Sequence, residues 1–431
     1  MTSSRDRVLD LLLGSEQVAG QVGITSVCSA HPLVLEAACR EAKRAGTAVL
    51  IEATCNQVNQ DGGYTGMTPA DFVAFVLGIA GSVGLAAERV VLGGDHLGPN
   101  PWKALPAGEA MAKAEAMVAA YVGAGFRKIH LDCSMGCRGE PAALADAVVA
   151  ERAARLARVA EAAAREAGLP APVYIIGTEV PPPGGATHEI QTIEVTSAVA
   201  AERTLAVHRE AFAAAGVSDA LARVIGLVVQ PGVEFGNANV VIYDRPAARG
   251  LSAGLTRLPG LVFEAHSTDY QPTSALSALV DDGFAILKVG PGLTFALREA
   301  LYGLDAIARE LRLGHGEPLP AVMERLMLAE TGNWRSHYPG TSDEQYLQRH
   351  FSYSDRIRYY WTRPEAVAAV DRLFAELDGV AIPETLVSQY LGRLYPTVAA
   401  GRLKATPKDL CLAAIDLALE PYRTATTRRD A

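Results

Sequence analysis

Residues 89–133 read RVVLGGDHLGPNPWKALPAGEAMAKAEAMVAAYVGAGFRKIHLDC. A β-branched run at 89–95 gives way to a turn rich in Gly and Pro, then to an Ala-rich stretch at 106–123 with helical spacing, then to a second β-type run at 127–133. This is the pattern of two parallel strands joined by a helix long enough to carry a right-handed crossover. The alternation extends in both directions. Strands are expected at 21–28, 47–54, 89–95, 127–133, 172–179, 223–230, 260–266 and 284–290, with helices at 68–85, 106–123, 142–168 and 191–215 among the segments between them. Eight such units in residues 1–312 predict a TIM (β/α)8 barrel rather than an open doubly wound sheet. After residue 312 the strand signal stops, and 317–330, 343–350, 364–377, 383–395 and 407–419 read as a C-terminal helical annex over 313–431.

Composition narrows the function. The 431 residues carry 39 Lys and Arg against 48 Asp and Glu, a net charge of −9, which speaks against nucleic acid as a partner. With 49% apolar and 20% charged residues the chain can bury a large core. The apolar patch VLDLLLG near the start is interrupted by Asp10, and no run is long enough to span a bilayer, so no membrane association and a cytoplasmic location are expected. Six scattered cysteines fit a reducing compartment, and Cys133 and Cys137 lack the second pair that a structural zinc site needs.

Parallel barrel strands are buried on both faces and should be apolar, so ionisable residues inside them need a reason. They gather at the carboxyl ends of seven strands: Glu52 with Asn56, Asp95 with His96, His130 with Asp132, Glu179, Gln230, Glu264 with His266, and Lys288. That is the end where TIM barrels build active sites. The pairs His130/Asp132 and Glu264/His266 are spaced i, i+2, so the members of each pair share one side of a strand. One such residue alone is ordinarily a hydrogen-bonded core group, but this many at one end predict a divalent-metal site with room for substrate. Asp95 and His96, adjacent where strand becomes loop, suit division of labour between proton transfer and metal binding.

The loop NQVNQDGGYTG at 56–66, containing Asn56 and Gly63, is polar and glycine-rich, as a loop closing on a small polar ligand would be. The segment KVGPGLT at 288–294 leads into a helix, and its Lys288, Gly292 and Thr294 suit phosphate binding at a helix N-terminus. Phe295 breaks a dinucleotide fingerprint there, and neither a P-loop nor a G-x-S-x-G elbow occurs. In the annex, YSDRIRYYW at 353–361 is dense in aromatics and arginines; it reads as packing, or as a source of a phosphate contact from Arg356 or Arg358, or as a subunit contact.

Taken together, His31-Pro32, EATCNQVNQDGGYTG, GGDHLGPNPW, HLDCSM, GTEVPPPGG, FEAHSTDYQ, LKVGPGLTFALREAL and YSDRIRYYW resemble the Z-type subunit family of tagatose-1,6-bisphosphate aldolase, from about residue 15 to about 420. Members are also labelled tagatose-6-phosphate kinases, a label the sequence does not support. The resemblance implies a barrel related to class II, metal-dependent aldolases, a class II aldolase catalytic subunit as partner, an oligomer, and a ketose or ketose phosphate as ligand. It implies His96 and His266 as metal ligands, Asp95 as the proton-transfer acid and Glu179 as a carboxylate near the metal, with Zn, Mn, Co and Ni not distinguished. Gln230, followed by Pro-Gly-Val-Glu234, stands where those aldolases have a ligand His, and offers an oxygen instead. Ser267-Thr268-Asp269 replaces their glycine-rich phosphate loop, with Asp269 opposing a phosphate, and Gly290 replaces an Asn.

Two functions remain open. The first is a subunit that supports a class II aldolase in tagatose 6-phosphate, galactitol or amino-sugar catabolism. The second is a metal-dependent ketose 4-epimerase or lyase acting alone by retro-aldol chemistry. Asp95, Glu52 and Asp132 are the candidate catalytic carboxylates; Asn56, Gly63, Ser267, Lys288, Gly292, Thr294 and Arg356 are the candidate substrate contacts; His96, Glu179, Gln230 and His266 are the candidate metal ligands.

Overall fold

The apolar runs pair as expected. In the computed structural model, which describes residues 22–178, 193–313 and 316–427, the barrel strands are β1 (Ile24–Val27), β2 (Val49–Thr54), β3 (Val90–Leu97), β4 (Lys128–Leu131), β5 (Val173–Ile176), β6 (Val224–Val229), β7 (Val262–Ala265) and β8 (Ile286–Val289). Each is parallel to its sequence neighbours, and β8 closes the barrel on β1 in the register Ile24↔Ile286 to Val27↔Val289. A TIM barrel with a helical annex is the result.

The crossover helices are α1 (Pro32–Ala45), α2 (Pro69–Val83), α3 (Ala107–Gly123), α4 (Asp146–Glu166), α5 (Ala198–Ala214), α6 (Arg245–Gly254), α7 (Thr273–Asp281) and α8 (Pro291–Glu310). Their starts follow local chemistry. Thr68 caps α2 by accepting from Asp71 N while the Asp71 carboxylate accepts from Thr68 N, and Pro69 takes the first helical position, where no N–H is needed. An antiparallel hairpin, Glu234–Phe235 with Val240–Val241, interrupts the connection from β6 to α6.

Strand pleating sorts the barrel side chains. One set packs outward on the helices, while Ile24, Leu50, Val91, Ile175, Ile225 and Ile286 belong to a separate apolar cluster inside the barrel. Two residues further along β1, β2 and β8 the same face carries Ser26, Glu52 and Lys288, all buried.

The annex contains α9 (Leu319–Ala329), α10 (Ser342–Phe351), α11 (Pro364–Leu377), α12 (Glu384–Tyr390) and α13 (Pro407–Thr426). Residue 312 marks the end of the strand pattern, but packing crosses it: one continuous apolar core joins Leu297, Leu301 and Leu304 of α8 to Leu373, Val387 and Leu410. The last helix returns to the barrel, where Thr426 O accepts from Val22 N at 2.9 Å and Tyr422 Oη donates to Thr268 O at 2.7 Å. It outruns the expected end at 419 because Tyr422, Ala425 and Thr426 are buried against the barrel, which offsets the intrahelical bond lost at Pro421. Among the described residues no helix is long and apolar enough to cross a membrane.

Candidate active site at the barrel mouth

Neighbouring residues on a strand normally face opposite ways, yet Asp95 and His96 both line the cleft at the mouth. A bulge makes this happen. Gly94 pairs with Ile129 and Leu97 with Leu131, so β3 spends one residue more than β4 between those pairs, and His96 takes a left-handed backbone at φ +51. A non-glycine residue held there costs of order 1 kcal/mol, and such strain concentrates at functional positions. Gly93 is required just before the bulge, because a Cβ there would lie 2.8 Å from Glu52 Cγ.

Below and around this bulge lies a network of buried charges. The two oxygens of Glu52 bond Lys128 Nζ and Lys288 Nζ. Lys128 Nζ is 2.7 Å from Glu264 Oε2, and Lys288 Nζ is 2.8 Å from Asp95 Oδ1. Asp132 Oδ2 is 2.7 Å from His96 Nδ1, while Asp132 Oδ1 accepts from Ser134 N and Oγ. Burial opposes ionisation of Asp95, but His96 and Lys288 outweigh it and hold its carboxyl well below the usual range. Lys128 and Lys288 of the same network hold Glu264 low in the same way, again against burial. Burial lowers the His96 imidazole, yet the carboxylates of Asp95 and Asp132 carry it above its ordinary value. His266 goes the other way: burial pushes it down to about 3 in spite of its bond to Glu264, so it is neutral at pH 7.

These groups suit a divalent cation. The rings of His96, His130 and His266 stand 5.0 to 5.2 Å apart by centroid, and ligand atoms of Asp95, His130, Glu264 and His266 lie within 4.8 Å of one another. His96 uses Nδ1 on Asp132, and His266 uses Nε2 on Glu264 at 2.9 Å, which leaves each a second nitrogen for a metal. His130 has Nδ1 2.9 Å from Asp95 Oδ1, and its Nε2 is buried with no hydrogen-bond partner. Charge points the same way: with the imidazoles neutral, as metal ligands must be, four carboxylates (Glu52, Asp95, Asp132, Glu264) face two ammoniums (Lys128, Lys288), a deficit that one divalent cation would close.

Around the mouth the cleft has a volume of about 70 Å³, with Asn56, Ser267, Lys288 and Arg358 in its walls. Tyr64, from the loop after β2, meets Tyr359 of the annex edge-on at 4.6 Å and roofs one side. Several expected contacts are spent elsewhere. Gly292 N donates to Asp269 Oδ1 at 2.7 Å and Thr294 Oγ1 to Asp355 Oδ2 at 2.6 Å, so neither donor is free for a phosphate. Gln230 Oε1 accepts from Gly232 N at 2.8 Å and Val233 N at 3.0 Å, holding a turn rather than facing the cleft. Arg356 packs over Tyr359 with its Nε on Asn333 O, and Arg358 is the arginine that lines the cleft instead. Gly63 is needed for its backbone, at φ +57 with Gln57 O 2.4 Å from where a Cβ would sit. Glu52 is enclosed between two lysines and is not among the residues lining the cleft. Glu179 lies outside the described residues.

The sequence profile of a family described as D-tagatose-1,6-bisphosphate aldolase subunit GatZ/KbaZ-like matches residues 9–427. The chain belongs to this family. A GatZ/KbaZ-like chain at this level of match has named relatives: a protein from Agrobacterium fabrum (strain C58 / ATCC 33970) named D-tagatose 6-phosphate 4-epimerase is 61% identical over 420 residues, covering 97% of this chain and 98% of that one. The crystal structure of a probable tagatose 6 phosphate kinase from Sinorhizobium meliloti 1021 is similar with a TM-score of 0.87 and 60% identity, covering 94% of this chain and all of the other.

In this GatZ/KbaZ-like barrel the sequence placed His130 and Glu264 at the mouth without counting them among the metal ligands, offered Arg358 only as an alternative to Arg356, and gave no role to Lys128. Their signal was present for three of the four: Lys128, His130 and Asp132 follow one another at i, i+2 on β4 and its end, as Glu264 and His266 do on β7. Nothing in the spacing of YSDRIRYYW separates Arg358 from Arg356.

Proposed function

We propose that this chain is a divalent-metal-dependent ketose 4-epimerase that works alone by retro-aldol cleavage and re-addition, which reverses the order of the two functions drawn from sequence. The observation that carries it is the convergence of His96, His130 and His266 with Asp95 and Glu264 around a buried surplus of negative charge. The relative named a 4-epimerase supports C4 of a tagatose- or fructose-type sugar as the reacting centre. His96, His130 and His266, with Asp95 or Glu264, are the residues that would hold the cation. Bound there, a divalent cation supplies Lewis acidity to the ketose carbonyl.

The remaining work falls to the protein. Asp95 is kept ionised, with Oδ1 fixed by Lys288 and His130, and accepts the proton of the C4 hydroxyl. The C4–O bond becomes a carbonyl, the C3–C4 bond breaks, and its electron pair moves to C3 and the C2 carbonyl as an enediolate. Rotation of the aldehyde presents its other face; the C3–C4 bond forms again, and Asp95 returns the proton to the C4 oxygen. Tyr64 and Tyr359 cover the fragments and exclude water between the two steps.

The family description favours a second reading, in which the barrel supports an aldolase subunit. The test assays the purified chain without any partner, stripped of metal and resupplied with Zn, Mn, Co or Ni in turn, on D-tagatose 6-phosphate and D-fructose 6-phosphate. Interconversion that EDTA abolishes is the expected result. No turnover alone, with a rise in aldolase activity on mixing with a class II aldolase, would establish the second reading in its place.

A further inference from the structure

A barrel ligand carrying phosphate is ordinarily seated at the mouth on the loop after β7 and the helix N-terminus after β8, where free N–H groups face the anion. In this chain that seat is filled from within. Asp269 Oδ1 accepts from Gly290 N at 2.9 Å and from Gly292 N at 2.7 Å, at the first turn of the 20-residue helix α8, and the residue is 2% exposed. The loop that delivers it is over-determined. Ser267 and Tyr270 on either side take left-handed backbones at φ +52 and φ +64, Thr268 Oγ1 donates to Lys288 O at 2.7 Å, and Tyr270 Oη donates to Tyr353 O at 2.6 Å. Gly292 is shaped to the carboxylate, since a Cβ there would lie 3.0 Å from Asp269 Oδ1.

The rest of the cleft wall offers little positive charge. Lys288 is committed to Glu52 and Asp95, which leaves Arg358 as the cation facing the outer cleft among the described residues. Arg358 NH2 donates to Tyr359 Oη at 3.1 Å and NH1 to Asp355 O at 3.0 Å, so its guanidinium is held in place by the annex. A ketose with a phosphate at each end needs two anion seats, and one of the two is already occupied by a fixed carboxylate. Like-charge repulsion, strengthened where water is excluded, opposes a phosphate brought against that carboxylate.

We propose that Asp269 is a specificity-determining residue: its carboxylate occupies the anion seat at the start of α8, so the cleft accepts a ketose bearing a single phosphate and rejects a ketose bisphosphate. This deepens the reading of the mouth as a ketose site and rests on it. Burial, opposed by the two backbone N–H bonds, raises Asp269 to about 6, which leaves it largely ionised at pH 7.

The test is calorimetric binding of D-fructose 6-phosphate and D-fructose 1,6-bisphosphate to metal-replete wild-type protein and to Asp269→Gly and Asp269→Asn, beside the epimerase assay. Wild type is expected to bind the monophosphate about 100-fold or more tightly than the bisphosphate, and Asp269→Gly to narrow that ratio about 10-fold or more by freeing two N–H donors and removing the charge. Asp269→Asn, which keeps an acceptor oxygen, should narrow it less. Equal affinity of wild type for both sugars overturns the proposal, as does an unchanged ratio in a folded Asp269→Gly protein. Because the readout is binding, an absence of turnover with the selectivity intact would sink the epimerase reading and leave this one standing.

Discussion

Ile24, Leu50 and Ile286 fill the foot of the barrel, and two residues on, along the same faces of the same strands, stand Ser26, Glu52 and Lys288. Backbone geometry is common to both layers, and so is burial, yet the lower layer is aliphatic and the upper is ionic. The lower layer is what a fold requires: branched side chains filling a closed cylinder. The upper layer has no such justification, because burying Glu52, Glu264, Lys128 and Lys288 costs desolvation that well-packed aliphatics would avoid. A layer that costs stability and converges on three imidazoles is explained by chemistry. The two layers should therefore fail differently when altered.

The sharpest contrast is expected from Asp95→Asn, which keeps the size and loses the base. Its kcat should fall about 10²- to 10⁴-fold in folded, metal-saturated protein; an unchanged kcat would remove Asp95 from the proton path. In the lower layer, Ile24→Ala should cost about 2–5 kcal/mol through the cavity it leaves, while metal content and the kcat of the folded fraction stay as in wild type. Loss of metal in that variant would show that the layers are not separable. Glu52→Gln breaks the upper layer from beneath, leaving two buried lysines each short of one partner. A loss of about 1.5–3 kcal/mol in unfolding free energy is expected from denaturant titration, because each ammonium loses one charge-assisted bond while keeping Glu264 or Asp95. Asp132→Asn, which weakens the hold on His96 Nδ1 without removing a ligand, should lower metal affinity about 10- to 100-fold in a competition with a chelator.

Much of this was legible in the sequence, and for a physical reason. Strands buried on both faces must be nearly all apolar, so Glu52, Asp95, His130, Glu264 and Lys288 stand out against them, and period-two spacing tells which pairs share a side. The eight strands form within the expected ranges, with the observed end of β3 running two residues further to Leu97. What spacing could not supply was the bulge that turns both Asp95 and His96 into the cleft, since it depends on a left-handed backbone at a residue that does not advertise one. Long-range pairing was equally hidden. Gly292 and Thr294 look like free donors until Asp269 and Asp355, from other loops, arrive to accept from them. Arg356 and Arg358 lie two apart in a 3-10 helix (Arg356–Tyr360) whose docking on the mouth, rather than its sequence, decides which one faces the cleft.

The central claim is that His96, His130 and His266 jointly hold one divalent cation, and cobalt reports on it directly. Metal-stripped protein is titrated with Co²⁺ and followed by its visible absorption, in wild type and in His96→Ala, His130→Ala and His266→Ala, with folding checked by circular dichroism. The account predicts a single site per chain in wild type and a fall in affinity of about 100-fold or more in each variant, His130→Ala included. No cobalt spectrum in wild type, or full affinity in folded His130→Ala and His266→Ala, would contradict it.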